Sequence, residues 1–404
     1  MNSNLQCPVC RSSQTEPFLS RRGVPVHQNM LFRSQEEAVA MKRGELHLLI
    51  CEQCGFIYNA SFEPSKLDYG AAYNNSQNFS PAFHRYTNSL AAHIAQRMKG
   101  SGKRIIEVGC GKATFLHQLF ELDEEMTGFG FDPSYEGPET AYNGRLRFVK
   151  DNYGPKYESI QADFVVCRHV IEHIPDPVRL LGSIRKALSH SPHALVFFET
   201  PCVEWILRHT AVWDFFYEHC SYFSPFSLST AFAESGFRTG QIRHIFQGQY
   251  LWLEASLEHG GKDSGIAAEG EVGGGGGDRL GQAAETANLA RAYRERESAV
   301  FARWRNRLFE LAHSGKPAVW GAGAKGVTFA NLFDPHREQI ACIVDANPGK
   351  QGGFLPGTGH PIVSYTELRR LGITDVLLMN PNYKEEVLQI AENHRLPIKL
   401  TELE

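Results

Sequence analysis

Four cysteines near the start of the chain fall in two pairs, Cys7-Pro-Val-Cys10 and Cys51-Glu-Gln-Cys54, with forty residues between the pairs. Two such knuckles supply four thiolates, which suits tetrahedral zinc, and Pro8 and Gly55 fit the tight turns. Four thiolates leave no open coordination position, so such a zinc is structural. A redox pair or unconnected core cysteines are the competing readings. Further on, Phe216-Tyr217-Glu218-His219-Cys220-Ser221-Tyr222 is dense in titratable groups. A histidine beside a carboxylate has the makeup of a general base, and the bland alternative is a packed aromatic segment.

Two glycine turns suggest ligand cradles. In Glu107-Val-Gly109-Cys-Gly111-Lys-Ala113 the glycines let the backbone approach a ligand, and Asp132 follows twenty-one residues beyond Gly111, placed to accept ribose hydroxyls. In Gly321-Ala-Gly323-Ala-Lys325-Gly326 the matching acid is Asp345, nineteen residues beyond the last glycine, a full dinucleotide fingerprint. His169 and His173 flank Glu172 and invite a metal reading, but they start from a strand end rather than share one helix. His169 is expected near the ligand, and His173 as a cap or core residue.

These residues need elements to hold them. Ser80-Pro81 starts a predicted helix over 80–99, with Phe83, Tyr86, Leu90 and Ile94 at helical spacing. Short apolar strands are expected at 104–109, 126–131, 147–149, 163–167 and 194–199, with helices after the first glycine turn and over 177–188. Alternating strands and helices mean a parallel α/β sheet. After Glu258 the composition changes: 260–278 contains the five glycines Gly273 to Gly277 and reads as a linker. A long amphipathic helix follows, with Leu289, Tyr293, Val300, Trp304, Leu308 and Leu311 on one stripe. The second glycine turn then begins another α/β unit.

The 404 residues are enough for several domains, and 42% hydrophobic with 21% charged residues excludes wholesale disorder. The net charge of −4 argues against a general nucleic-acid binder. No apolar run is long enough for a membrane span. Nine cysteines without a signal-peptide pattern favour a reducing, cytoplasmic setting.

The glycine turn, Asp132 and the block Asp163-Phe-Val-Val-Cys-Arg-His-Val-Ile-Glu-His-Ile-Pro-Asp-Pro together resemble class I S-adenosylmethionine-dependent methyltransferases over about 104–200. The resemblance implies that Glu107, Gly109, Gly111 and Asp132 meet the cofactor. It puts Asp151 and Asn152 near its adenine, and Arg168 and His169 facing its methyl group. Ala113 stands where the family often has a third glycine, which implies slight crowding.

A narrower resemblance spans nearly the whole chain outside the glycine linker. The four-cysteine module, the methyltransferase core, Glu218-His219-x-Ser-Tyr-Phe-Ser and the Val-Asp345-x-Asn-Pro-x-Lys-Gln-Gly tail are similar to sugar C-methyltransferases acting on nucleotide-linked keto-deoxysugars. The expected fold is therefore α/β throughout, in four parts. These are a zinc module over 1–70, a class I methyltransferase Rossmann-like domain over 71–257, a linker over 258–284 and a second Rossmann-like, substrate-binding domain over 285–404. By this resemblance His219 removes the proton next to a ketone, Glu218 orients or charge-tunes it, and Tyr217 or Tyr222 donates to the enolate oxygen. Lys325 or backbone amides would meet a diphosphate, with Asp345 beside them. One departure is Phe216, where the family carries a tyrosine. A methyltransferase on another small molecule, an NAD-dependent enzyme and a non-catalytic binding protein are the alternatives.

Overall fold

The computed structural model describes residues 6–69, 73–74, 79–100, 102–257 and 279–403. The glycine-rich stretch expected as a linker lies outside the described residues over 258–278. The last part of that expected linker is helical, because a long helix already starts at Arg279 and runs to Ser314.

Three sheets carry the chain. The first is antiparallel, in the order β1 (Thr15–Pro25), β2 (Arg43–Cys51), β3 (Ile57–Asn59), β10 (Ser221–Tyr222). Side chains alternate along β2. Leu46, Leu48 and Ile50 pack into a core shared with the long helix, while Leu49 and Cys51 enter the core of the central sheet. The cysteine module therefore has no private core, and its last strand comes from the segment that carries Glu218 and His219.

The central sheet is built on β4 (Arg104–Val108), β5 (Thr127–Phe131), β6 (Thr140–Ala141), β7 (Leu146–Val149), β8 (Phe164–Arg168), β9 (Leu195–Pro201), β11 (Phe237–Ile245) and β12 (Tyr250–Leu257). Their order is β11-β12-β9-β8-β4-β5-β7-β6. The run from β7 to β9 is parallel, and β12 enters antiparallel beside β9. The chain winds one way from β4 to β7 and the other way from β8, so a crevice opens at the carboxyl ends of β4 and β8. The expected helix after Ser80 is present as Pro81–Arg97, and the Ser80 hydroxyl accepts the Phe83 N–H at 3.1 Å.

The third sheet is parallel: β13 (Ala318–Trp320), β14 (Cys342–Val344), β15 (Ile362–Val363), β16 (Asp375–Leu378) and β17 (Lys399–Glu402), ordered β15-β14-β13-β16-β17. The order reverses between β13 and β16, so a second crevice lies at the second glycine turn. There a Cβ on Gly326 would sit 1.9 Å from the Gly321 carbonyl oxygen, so only glycine fits where helix Ala324–Phe333 meets the turn. The stripe expected on the long helix is the packed one: Tyr293, Trp304, Leu308 and Leu311 are buried, with Leu289 and Val300 against them. No described helix is long and apolar enough to cross a membrane.

Candidate active site and cysteine cluster

A cavity of about 470 Å³ lies where the two crevices face each other. Gly109, Gly111, Asp132 and Glu107 line one wall, and Gly321, Lys325, Asp345 and Lys350 another. Phe216, Glu218, His219 and His173 lie between them on the same surface.

The first wall is shaped for a ligand. Gly109 has φ +76°, and a Cβ there would meet Val170 at 2.1 Å; a Cβ on Gly111 would meet nothing within 4 Å, so open space lies above it. Asp132 Oδ2 accepts the Gly111 N–H at 2.8 Å, which ties the acid to the turn. Burial pushes the Glu107 carboxyl up to about 8, against the pull of Arg168. Its Oε2 is buried without a hydrogen-bond partner among the described residues. A buried acceptor with no partner among the described residues, beside an open glycine cradle, fits the ammonium group of S-adenosylmethionine's amino-acid end.

The floor is an ionic network. Arg168 Nε meets Glu199 Oε2 at 2.6 Å, and Tyr86 also donates to Glu199. His169 Nε2 lies 3.1 Å from Glu199 and Nδ1 3.3 Å from Glu172. Burial opposes a charge on His169, but Glu199 and Glu172 outweigh it and raise its pKa to about 9. Nε2 is thus hydrogen-bonded to Glu199 while Nδ1 faces the Glu172 carboxylate, and His169, held protonated between them, is no base. A pH dependence of stability follows. Below the unfolded value of 6.5 the ion pairs contribute fully; that contribution is lost as pH rises through about 9. Denaturant midpoints should fall over this range by a stability equivalent of about 3 kcal/mol, and His169→Gln should flatten the curve.

His219 is the opposite case. Burial depresses its pKa well below 6.5, and the charges of His173, His169 and Lys325 add to the effect. It makes no hydrogen bond to a described residue. Its ring packs edge-on to His173 at 4.8 Å and against Phe216 at 4.1 Å. A neutral imidazole with free lone-pair capacity, aimed into a cavity, can take a proton from a ligand.

Several expectations need correction. Glu218 does not pair with His219: its Oε1 meets His27 Nδ1 at 3.2 Å, and Oε2 accepts the Gln28 N–H at 3.2 Å. Adjacent residues point their side chains apart, so sequence adjacency did not become contact. Tyr217 and Tyr222 are buried away from the cavity. The Tyr217 hydroxyl accepts the Glu63 N–H at 2.9 Å, and that of Tyr222 bonds to the Phe216 backbone. His173 is no cap or core residue; it lines the cavity, with the Tyr69 hydroxyl 3.3 Å from Nδ1. Asp151 and Asn152 lie outside the cavity wall, and the Asp151 carboxylate is taken by Tyr157 and Lys156. Lys325 lines the cavity but is paired with Asp214 at 2.7 Å, while Asp345 accepts the Ala322 N–H at 2.8 Å.

Sequence reasoning did not select His27, Tyr73 or Lys350. Lys350 is buried, and its ammonium donates to the Ala322 carbonyl oxygen at 2.9 Å. Its signal was the Asp345-x-Asn-Pro-x-Lys run. His27 and Tyr73 carry no spacing signal, because long-range folding brings them to Glu218.

The four cysteines converge as the knuckles imply. Cys7 and Cys54 Sγ are 3.6 Å apart, Cys10 and Cys51 Sγ 3.5 Å, and all four sulfurs lie within 4.8 Å of one another. Each knuckle closes with a turn bond, Arg11 N–H to Cys7 O at 2.9 Å and Gly55 N–H to Cys51 O at 2.8 Å. Tetrahedral zinc with bonds of about 2.3 Å needs sulfurs about 3.8 Å apart, so the set fits that ion.

Comparison with known proteins adds the family. Residues 83–242 match a profile described as a methyltransferase domain, and 281–396 one described as a C-methyltransferase C-terminal domain. The chain is 24% identical over 412 residues to the C-methyltransferase NovU of Streptomyces niveus, covering 95% of this chain and 91% of that protein. It is 27% identical over 142 residues to a ubiquinone biosynthesis O-methyltransferase of Pectobacterium carotovorum, covering 32% of this chain and about half of the relative, 54%. Among solved structures, the 1,6-didemethyltoxoflavin-N1-methyltransferase of Burkholderia thailandensis aligns with a TM-score of 0.34 at 16% identity, over 43% of this chain and 79% of that one. The first profile accounts for most of the central sheet and its glycine cradle and the second for the parallel sheet facing it, so the chain is a class I S-adenosylmethionine-dependent methyltransferase whose C-terminal part is similar to that of C-methyltransferases.

Proposed function

We propose that the protein methylates the carbon next to the ketone of a nucleotide-linked keto-deoxysugar. The observation that carries this reading is His219: an imidazole kept neutral by burial, without a hydrogen bond to a described residue, facing the cavity between the two glycine turns. S-adenosylmethionine supplies an electrophilic methyl group when bound. Glu107, Gly109, Gly111 and Asp132 hold it, with Arg168 and His169 beneath. His219 takes the acidic proton and leaves an enolate. The field of Lys325, which already reaches His219, favours the negative charge developing beside it. Glu218 accepts a hydrogen bond from a sugar hydroxyl and fixes the carbon relative to His219. The parallel sheet bearing Asp345 and Lys350 receives the nucleotide end, at a helix N-terminus suited to a diphosphate. One structural zinc is held by Cys7, Cys10, Cys51 and Cys54.

Phe216 favours a second reading, a small molecule with a less polar face toward His219. Incubation with isotope-labelled S-adenosylmethionine and a panel of nucleotide keto-sugars separates the two by mass. Label on the carbon beside the ketone is expected. Transfer only to oxygen or nitrogen of other acceptors, or hydride transfer with NAD(H), overturns the proposal.

A further inference from the structure

The cavity-facing carboxylate of Glu218 is gripped from a distant part of the chain. His27 and Gln28 follow β1, 190 residues or more before Glu218. His27 is 5% exposed and Glu218 1%, yet Glu218 lines the cavity. His27 Nδ1 meets Oε1 and the Gln28 N–H donates to Oε2, both at 3.2 Å, and the Tyr73 hydroxyl lies against the same carboxylate. Two donors on two oxygens fix the plane of the carboxylate as well as its position. The Gln28 side chain is itself pinned, donating to the Pro25 carbonyl oxygen at 3.0 Å, at the end of β1.

The tautomer of His27 follows from its other partner. The Asp68 N–H points at Nε2 over 3.1 Å. An N–H donor there requires a lone pair on Nε2, so the proton sits on Nδ1 and is donated to Glu218. A doubly protonated ring would set two N–H groups against each other. His27 therefore acts as a neutral, directed donor. Tyr69 and Tyr73 pack edge-on to its ring at 5.8 and 6.3 Å and close off its sides. Each Glu218 oxygen still has acceptor capacity toward the cavity.

We propose that His27 is a positioning residue: through its Nδ1–H it holds Glu218 as a fixed hydrogen-bond acceptor for the substrate, coupling the cysteine module to the active site. What Glu218 meets rests on the reading given under Proposed function; the grip on Glu218 does not.

Two substitutions split the ring's functions. His27→Asn keeps an N–H near the Nδ1 position and loses the Nε2 acceptor. His27→Gln keeps an acceptor near Nε2 and loses the donor to Glu218. In the full chain with its metal, kcat/KM for His27→Asn should stay within about threefold of the parent, while His27→Gln should lose about 10–100-fold, as expected for one charged hydrogen bond. The double variant His27→Gln/Glu218→Gln should fall no further than Glu218→Gln alone, since both act through one carboxylate. Independently of activity, imidazole ¹⁵N shifts should report the Nδ1–H form of His27 and should move in Glu218→Gln. Full activity in His27→Gln, equal losses in both variants, additive losses in the double variant or an Nε2–H tautomer each overturn the proposal. If the parent enzyme methylates no keto-sugar, the substrate reading fails, and the ¹⁵N experiment still decides the role of His27.

Discussion

Replacing His219 with Asn is expected to cut turnover by about 10²–10⁴-fold, the usual contribution of a positioned base. Binding of S-adenosylmethionine and thermal stability should change little, because His219 has no hydrogen bond to a described residue to lose. Exchange of the substrate's acidic proton with deuterated solvent should fall in parallel. That second readout separates proton removal from methyl transfer. Nearby alternatives are weak: His169 is held protonated between Glu199 and Glu172, and Tyr217 is turned away toward Glu63. Since the His219 pKa is depressed, the base stays in its competent form throughout the neutral range, and activity should not fall off just below neutral pH for want of it. Phe216→Tyr adds a hydroxyl beside the same ring and is expected to favour polar keto-sugars. Full activity in a folded His219→Asn variant would remove His219 from the mechanism.

The elements of the central sheet were largely legible, and the contacts between distant segments were not. Strands at 104, 127, 146, 164 and 195 announce themselves as short apolar runs bounded by turns, and Ser80-Pro81 marks a helix start. The two acids after the glycine turns could be found by counting, since fold geometry sets the chain length of a βαβ unit. The antiparallel pair β11–β12 was not anticipated; it closes the sheet by a hairpin and carries no motif. The pairing of Glu218 with His27 had no local signature, because it depends on how the cysteine module docks. Adjacency in Glu218-His219 suggested a dyad, whereas the backbone turns the two side chains to different partners. The half-buried position of His169 between two carboxylates likewise depends on Glu199, thirty residues away on β9. Periodicity and motif spacing report short-range geometry, while the electrostatics of a site come from elements far apart in sequence.

Removing the metal from the cysteine cluster should cost more than the cluster's small size suggests. The purified protein is expected to contain one zinc per chain, and Cys51→Ser to lose it. Four thiols this close, all but Cys10 buried, are stabilised as thiolates only by a cation. Binding of structural zinc in small domains is worth about 10–16 kcal/mol, most of it expressed as folding energy. Here the knuckle strand β2 feeds two cores, through Leu46, Leu48 and Ile50 on one face and Leu49 and Cys51 on the other. Loss of zinc should therefore loosen the packing of β1–β3 against the rest of the chain, and with it the segment carrying His27 and Gln28. A chelator should lower the melting temperature and abolish methyl transfer at concentrations where S-adenosylmethionine still binds, because the glycine cradle belongs to the central sheet. Restoring zinc should return both. Protein that contains no metal and titrates as four free thiols, with full activity, would reject the site; two disulfides in its place would support the redox reading instead. The selectivity of the loss is the informative part. If cofactor binding survives while turnover does not, the cysteine module acts on the reaction through the residues it holds against Glu218.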